Sequence, residues 1–485
     1  MGAQPPDRRM VWLLAAAAVV LGLSYGACTQ DDAFISFRYA ENLVRGDGLV
    51  FNPGERVEGY TNLSWTLLIA GAMTLGAEPV IASTLLGLVC LAGVVVATWR
   101  LGLGGGPAAL VLVAPMLVAV DAQLALESVE GLETALYVWL ITLGTGAAIR
   151  EERWAGSGWF VLACLTRPEG IFMWGAVQVG LLLRAWTQQA VGAQLRATWR
   201  SALPVLACLA ALTAWRLAYY GDPLPNTFYA KTGALAVPRG LHYLWAHVVS
   251  HPLLWLLVGA RLVAGRRTAS TLPLATAACL YLTYVVLIGG DFKPTGRFIV
   301  PVLPMLAVLA QEALAGLVSR GARLRWSAVG VAAVVGVWGS LDQYRVAAGH
   351  GAERHANLEA RKLVGDWIAT HTPPDTVIAI HSAGVIPFYA GRRTIDMWGL
   401  TDRTIARTRM QGMGTGMAGH EKTNPAYVFS RDPDLYLPED KVFTLRAWSQ
   451  PVEEGFPADF AARYRSVSVP IEGRYLNMWV RRGGG

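Results

Sequence analysis

The chain is poor in charge and in cysteine. Asp, Glu, Lys and Arg make up only 15% of its 485 residues, against 54% hydrophobic residues and a mean hydropathy of +0.38. A single soluble core cannot be built from that mixture, and the apolar residues gather in long runs instead. The five cysteines (28, 90, 164, 208 and 279) sit mostly inside those runs, without metal-ligand spacing. They read as small core residues rather than a disulfide framework. No internal repeat is visible, which argues against the inverted-repeat build of many transporters.

A membrane-spanning helix takes roughly twenty apolar residues. Candidate spans are 10–28, 79–99, 106–124, 132–149, 156–166, 170–184, 200–218, 250–264, 271–290, 297–318 and 325–342, about eleven in all. The stretch 156–184 is alternatively one helix broken near Pro168. The shorter apolar stretch 62–77 reads as an interfacial or re-entrant helix. The first run could be a cleaved signal peptide, but the many later spans favour an uncleaved anchor.

The formal charge of +7 is not a nucleic-acid signal, because the arginines sort by side of the membrane. With Arg8 and Arg9 in the cytoplasm, alternate connections carry Arg100; Arg150 and Arg153; Arg184, Arg196 and Arg200; Arg261, Arg266 and Arg267; and Arg320, Arg323 and Arg325. That is the positive-inside pattern. The opposite connections carry acids, aromatics and Gly/Pro turns. After residue 342 a water-soluble pattern begins: a helix from Glu353 to His371, strands at 376–380 and 393–396, and an alternating pair at 466–469 and 476–480. This predicts a membrane domain at 1–342 and an outer α/β domain at 343–485.

Six segments on the outer side carry the polar chemistry. Asp31 and Asp32 open a stretch whose Ala33, Phe37, Ala40 and Val44 share one helical face, opposite Arg38, Glu41 and Arg45. The pattern predicts an amphipathic helix on the membrane surface. One aspartate can serve as its cap, but two adjacent carboxylates at a membrane mouth repel each other and need a further reason. Glu58, Tyr60 and Asn62 follow in a dense polar loop, although an interfacial aromatic belt would look similar. Glu130 and Glu133 stand one helical turn apart at a helix start, where the macrodipole alone favours acids. Arg167 and Glu169 flank Pro168 within apolar surroundings. They are either a self-neutralising pair or the lining of a cavity exposed by the broken helix. Asn226, Tyr229 and Lys231 lie in an aromatic, turn-rich loop suited to sugar stacking, with Lys231 a candidate phosphate contact. Asp291 and Arg297 bracket the last segment, and Arg297 runs against the positive-inside trend.

Together DDAFISFRYA, NPGERVEGYTN, GLET, LTRPEG, YYGDPLPNTFYAK and GGDFKPTGR resemble the motifs of the GT-C superfamily, polytopic glycosyltransferases that use polyprenyl-phosphate sugars. Within it the chain is most similar to the terminal β-(1→2)-arabinofuranosyltransferases of the mycobacterial cell wall and their bacterial relatives. The likeness continues through 381–389 and 395–402. It implies a GT-C type polytopic α-helical membrane protein with a C-terminal extracytoplasmic α/β domain, placed in the bacterial plasma membrane. It implies that Asp31 or Asp32 is the general base, and an acceptor site facing outward. Metal use is mixed in the family; the carboxylates here suffice for a divalent cation (Mg, Mn or Ca), but no spacing demands one.

The expected reaction is inverting transfer of a pentose or hexose from a polyprenyl-phosphate donor to a glycan or glycolipid of the cell envelope. Arg167, Lys231, Arg297 and Arg38 are the candidate phosphate contacts. Glu58, Tyr60, Asn62, Glu133, Glu169, Asn226, Tyr229, Asp291, His381, Asp396 and Asp402 are the candidate substrate contacts. The rival reading is a flippase of lipid-linked sugars, and no nucleic-acid partner is expected.

Overall fold

The computed structural model describes residues 8–483 except 27, 104–109, 232–234, 265–267, 292, 294–295, 319–321, 411–412, 414–415, 418, 439–441 and 449–455; for 318 and 322–340 it describes backbone alone. Arg266, Arg267 and Arg320 lie outside the described residues, as do the side chains of Arg323, Arg325 and most of the expected 325–342 span. The chain forms two compact units, each assembled from three stretches. One holds Met1–Ala27, Ser83–Leu212 and Leu235–Ala352; the other holds Cys28–Ala82, Thr213–Ala234 and Glu353–Gly485. Three of the six polar outer segments thus belong to the same unit as the C-terminal residues.

Among the described residues, Pro79–Gly102, Val191–Tyr220, Thr271–Ile288 and Val300–Leu317 are long and apolar enough to cross a membrane. Two bent pairs, Ala122–Val129 with Thr134–Ile149 (119°) and Val237–Ser250 with Pro252–Val263 (100°), bring the number to six if each is one span. The Arg8–Leu23, Thr134–Ile149 and Arg153–Thr166 helices, with 16, 16 and 14 residues, fall short of a bilayer on their own. The breaks have local causes. Gly131 has a φ of 80° at the first bend, a left-handed conformation that glycine adopts without steric cost. Proline opens the Pro252–Val263 helix, and Pro168 separates the Arg153–Thr166 helix from Gly170–Thr187.

In the second unit a six-stranded sheet runs in the order β2-β1-β3-β6-β4, with β5 also on β6. Its strands are β1 (Val377–Ile380), β2 (Arg393–Asp396), β3 (Leu435–Leu437), β4 (Phe443–Thr444), β5 (Tyr464–Ile471) and β6 (Arg474–Arg481). β1 is parallel to β2 and β3, and β6 is antiparallel to β3, β4 and β5. Period-two alternation divides the core. Ile378, Ile380, Leu435, Leu437, Leu476 and Met478 pack with Val364 and Ile368 on one face; Ala379, Tyr436 and Trp479 pack with Ile395, Phe429 and Phe460 in a separate cluster.

The expected amphipathic helix is Asp31–Arg45, but Arg38, on its expected polar face, is not exposed. Phe34, Phe37, Arg38 and Tyr39 are all buried, and Phe34 meets the rings of Phe388 and Tyr389. Of the cysteines, Cys28, Cys90 and Cys164 are buried as expected, whereas Cys279 is exposed on its helix.

Candidate active site

In the second unit, the acidic pair begins the Asp31–Arg45 helix, and Asp31 is tightly engaged. Its Oδ2 accepts the Gly384 N–H (3.1 Å), and its Oδ1 accepts the Val385 N–H (3.0 Å). The Arg361 Nη1 lies 2.7 Å from Oδ1. The Gly384 and Val385 N–H groups follow the carboxyl end of β1, the side of a parallel strand pair where ligands usually bind. The approach needs a glycine: a Cβ on Gly384 would stand 2.0 Å from the Asp31 carbonyl oxygen. Asp32 is half-buried beside it.

Arg38, expected to touch a donor phosphate, is instead a staple. Nε donates to the Phe51 carbonyl (2.7 Å), Nη1 to the Pro387 carbonyl (2.9 Å) and Thr394 Oγ1 (3.5 Å), and Nη2 to Asn52 Oδ1 (3.3 Å) and the Arg392 carbonyl (2.7 Å). All five N–H groups of the guanidinium are thereby used, and burial pushes its pKa down to about 10. Heptad geometry placed Arg38 on a polar face, but that face is covered by Pro387, Arg392 and Thr394.

Several expected substrate contacts likewise serve the fold. Glu58 is held by Arg216 at 2.8–3.0 Å in a buried pair; burial raises its pKa, partly offset by Arg216. Tyr60 meets Tyr220 hydroxyl to hydroxyl (3.2 Å). Asn62 accepts Ser36 and Thr66 hydroxyls (3.1 and 3.2 Å). Asn226 donates to the carbonyls of Gly399, Leu400 and Asp402. Asp402 caps the Arg403–Ala406 helix and accepts the Tyr427 hydroxyl at 3.2 Å. The more accessible candidates are Tyr229, packed under Arg407 (4.2 Å), the exposed Lys231, and His381, whose ring stands 5.6 Å from Trp398.

Asp396 is fully buried and accepts the N–H groups of Trp398, Gly399 and Thr401 and the Thr401 hydroxyl. Burial still outweighs those bonds and pushes its carboxyl up to about 6. A folded pKa above the unfolded one means that the folded chain binds the extra proton between about pH 4 and 6. Stability from this group is therefore greatest below pH 4 and falls by roughly 3 kcal/mol as pH rises through 6. Asp396→Asn should remove that slope when unfolding free energies are compared at pH 4 and 7; identical slopes in variant and parent would contradict the assignment.

The first unit gathers the other charges at its helix breaks. Arg167 reaches Glu133 (3.0 Å) and Glu169 (3.3 Å) and lies against the rings of Tyr137 and Phe298. Asp291 and Arg297 pair at 2.7 Å. Lys293, which the sequence reading had not singled out, is 1% exposed and stands 2.7 Å from Glu130 and 3.6 Å from Glu127. Glu130 and Glu133 do not share a face as expected, because the 119° bend sends one to Lys293 and the other to Arg167. Five carboxylates thus meet three cations. Arg216, Arg361 and Lys293 were missed; Arg216 left a signal as a lone cation in apolar sequence, and Lys293 lay within the polar 289–297 segment. Among the described residues no group of three or more His, Cys, Asp or Glu is placed to hold a metal ion.

Comparison with known proteins agrees with this architecture. A family model described as Domain of unknown function (DUF8728) matches residues 345–479. The chain is 30% identical over 258 residues to the terminal β-(1→2)-arabinofuranosyltransferase of Mycobacterium tuberculosis, covering 47% of this chain and 39% of that protein. It is 26% identical over 335 residues to the protein of the same name from Corynebacterium glutamicum, covering 58% and 47%. The chain therefore spans less than half the length of these curated relatives. Among solved structures it is similar to ArnT from Cupriavidus metallidurans bound to undecaprenyl phosphate, with a TM-score of 0.63 at 14% identity over 98% of this chain and 99% of that one. It is also similar to the archaeal oligosaccharyltransferase AglB from Archaeoglobus fulgidus in complex with an inhibitory peptide and a dolichol-phosphate, with a TM-score of 0.55 at 11% identity over 80% and 64%. The fold is the one shared with these solved structures: a mainly helical chain, several of whose helices are long and apolar enough to cross a membrane, with a C-terminal sheet-bearing portion.

Proposed function

We propose that this chain is an inverting glycosyltransferase. It moves a sugar, arabinofuranose or another pentose or hexose, from a polyprenyl-phosphate donor to a cell-envelope glycan or glycolipid on the outer side of the membrane. The 30% identity to a named arabinofuranosyltransferase over 258 residues carries the reading, and the ArnT-like fold supports a lipid-phosphate donor.

Both Asp31 oxygens are taken up by two N–H groups and a guanidinium, which fixes that side chain in place. We therefore assign the base to Asp32 and treat Asp31 as its anchor. The acceptor hydroxyl gives its proton to Asp32 as its oxygen bonds the anomeric carbon from the face opposite the phosphate. The bond from that carbon to the phosphate oxygen breaks, and its electron pair leaves with the lipid phosphate. Arg167, whose bonds to Glu133 and Glu169 use three of its five N–H groups, is kept as a candidate contact for the donor phosphate. Arg297 and Lys231 are the further phosphate candidates, and Tyr229 and His381 remain acceptor contacts.

The test is transfer in detergent. Purified protein, polyprenyl-phosphate arabinofuranose and a synthetic arabinan acceptor should yield an acceptor heavier by one pentose. No transfer with this or any other polyprenyl-phosphate sugar would overturn the reading in favour of a flippase, which makes no glycosidic bond.

A further inference from the structure

The arginine-bearing ends of three helices in the first unit enclose a crevice that the proposed reaction does not use. A cavity of about 120 Å³ lies between the Arg153–Thr166, Gly170–Thr187 and Val191–Tyr220 helices. A second, of about 190 Å³, shares Arg153, Ser157 and Ser201 with it and adds Arg200. Each is smaller than the roughly 300 Å³ of an ordinary small-molecule pocket, and the size suits a phosphate with its nearest waters.

The chemistry of the walls is that of an anion site. Arg184 is 9% exposed, yet its partners are loose: the Ile149 carbonyl at 3.4 Å and Glu151 at 3.6 Å, the latter 69% exposed. A desolvated guanidinium held so weakly is stabilised by a further anion. Arg153 and Arg200 add two more positive charges against the single Glu151. The first turn of the thirty-residue Val191–Tyr220 helix lines the cavity, so its N–H groups and dipole favour negative charge there. Gln178 closes the inner wall through the Thr198 hydroxyl (2.9 Å).

The same helix ends carry Trp154, Trp186 and Trp199, exposed by 72%, 72% and 63%. Exposed tryptophans at the basic ends of apolar helices mark the depth of lipid headgroups. We propose that this crevice binds the phosphate of an anionic phospholipid headgroup.

Native mass spectrometry of the full chain tests it. Phosphatidylglycerol should stay bound where phosphatidylcholine is lost. Arg184→Gln should lower retention about tenfold, the effect of one lost charged contact. The Arg153→Gln/Arg200→Gln double variant changes exposed residues only, and should weaken retention similarly even if Arg184→Gln does not fold. Equal retention of both lipids, or undiminished retention in the double variant, would overturn the proposal. So would displacement of the lipid by millimolar inorganic phosphate, which marks a site for a soluble anion.

Discussion

Asp32→Asn should lower turnover by about 10²–10⁴-fold, the usual cost of losing a general base. The amide keeps the shape of the carboxylate but cannot accept the acceptor's proton. Asp31→Asn should behave differently. It removes the charge that Arg361 faces at 2.7 Å and one of the acceptors met by Gly384 and Val385. A partly exposed pair with backbone hydrogen bonds is worth on the order of 1–3 kcal/mol. That loss should appear as lower stability, with a smaller loss of turnover. Single-turnover transfer and thermal unfolding of both variants decide the matter. If Asp31→Asn is inactive at unchanged stability, the base is Asp31. If both variants turn over normally, neither aspartate is the base.

The second large effect concerns Lys293. Its ammonium is enclosed with Glu127 and Glu130, all three side chains being at most 1% exposed. Removing one partner of a buried charge set typically costs 3–5 kcal/mol, because the remaining charge is left uncompensated in a poor solvent. Lys293→Met should therefore destabilise the protein by about that much, and Lys293→Met/Glu130→Gln should recover part of it. The readout is unfolding in detergent micelles. If the single variant is as stable as the parent, or the second change gives no recovery, the carboxylates do not depend on Lys293.

The fold was largely visible where periodicity is strong. The alternating 466–469 and 476–480 segments are the paired strands β5 and β6, and the parallel β1 and β2 lie where the 376–380 and 393–396 segments suggested. Pro168 breaks its helix as its missing N–H requires. The partners of individual charges were hidden, because sequence spacing reports neighbours along one helix and not across a core. Arg38 illustrates this: three of its five acceptors belong to residues about 350 positions away. Arg361 left no trace at all, since an arginine on a soluble-looking helix is ordinary until Asp31 is seen beside it. The turn-rich 219–231 loop conceals the short Asn226–Lys231 helix, and the Val237–Ser250 helix was overlooked because polar residues interrupt its apolar pattern.

Asn52 has one more implication. Its side-chain amide mimics a neighbouring strand, accepting the Thr394 N–H (3.0 Å) and donating to the Thr394 carbonyl (2.9 Å). The outermost ladder position of β2 is thus occupied by a residue more than three hundred positions earlier in the chain. A recombinant fragment cut to the C-terminal segment would leave that border bare and open to self-association, so the soluble portion is best dissected with its early loop retained.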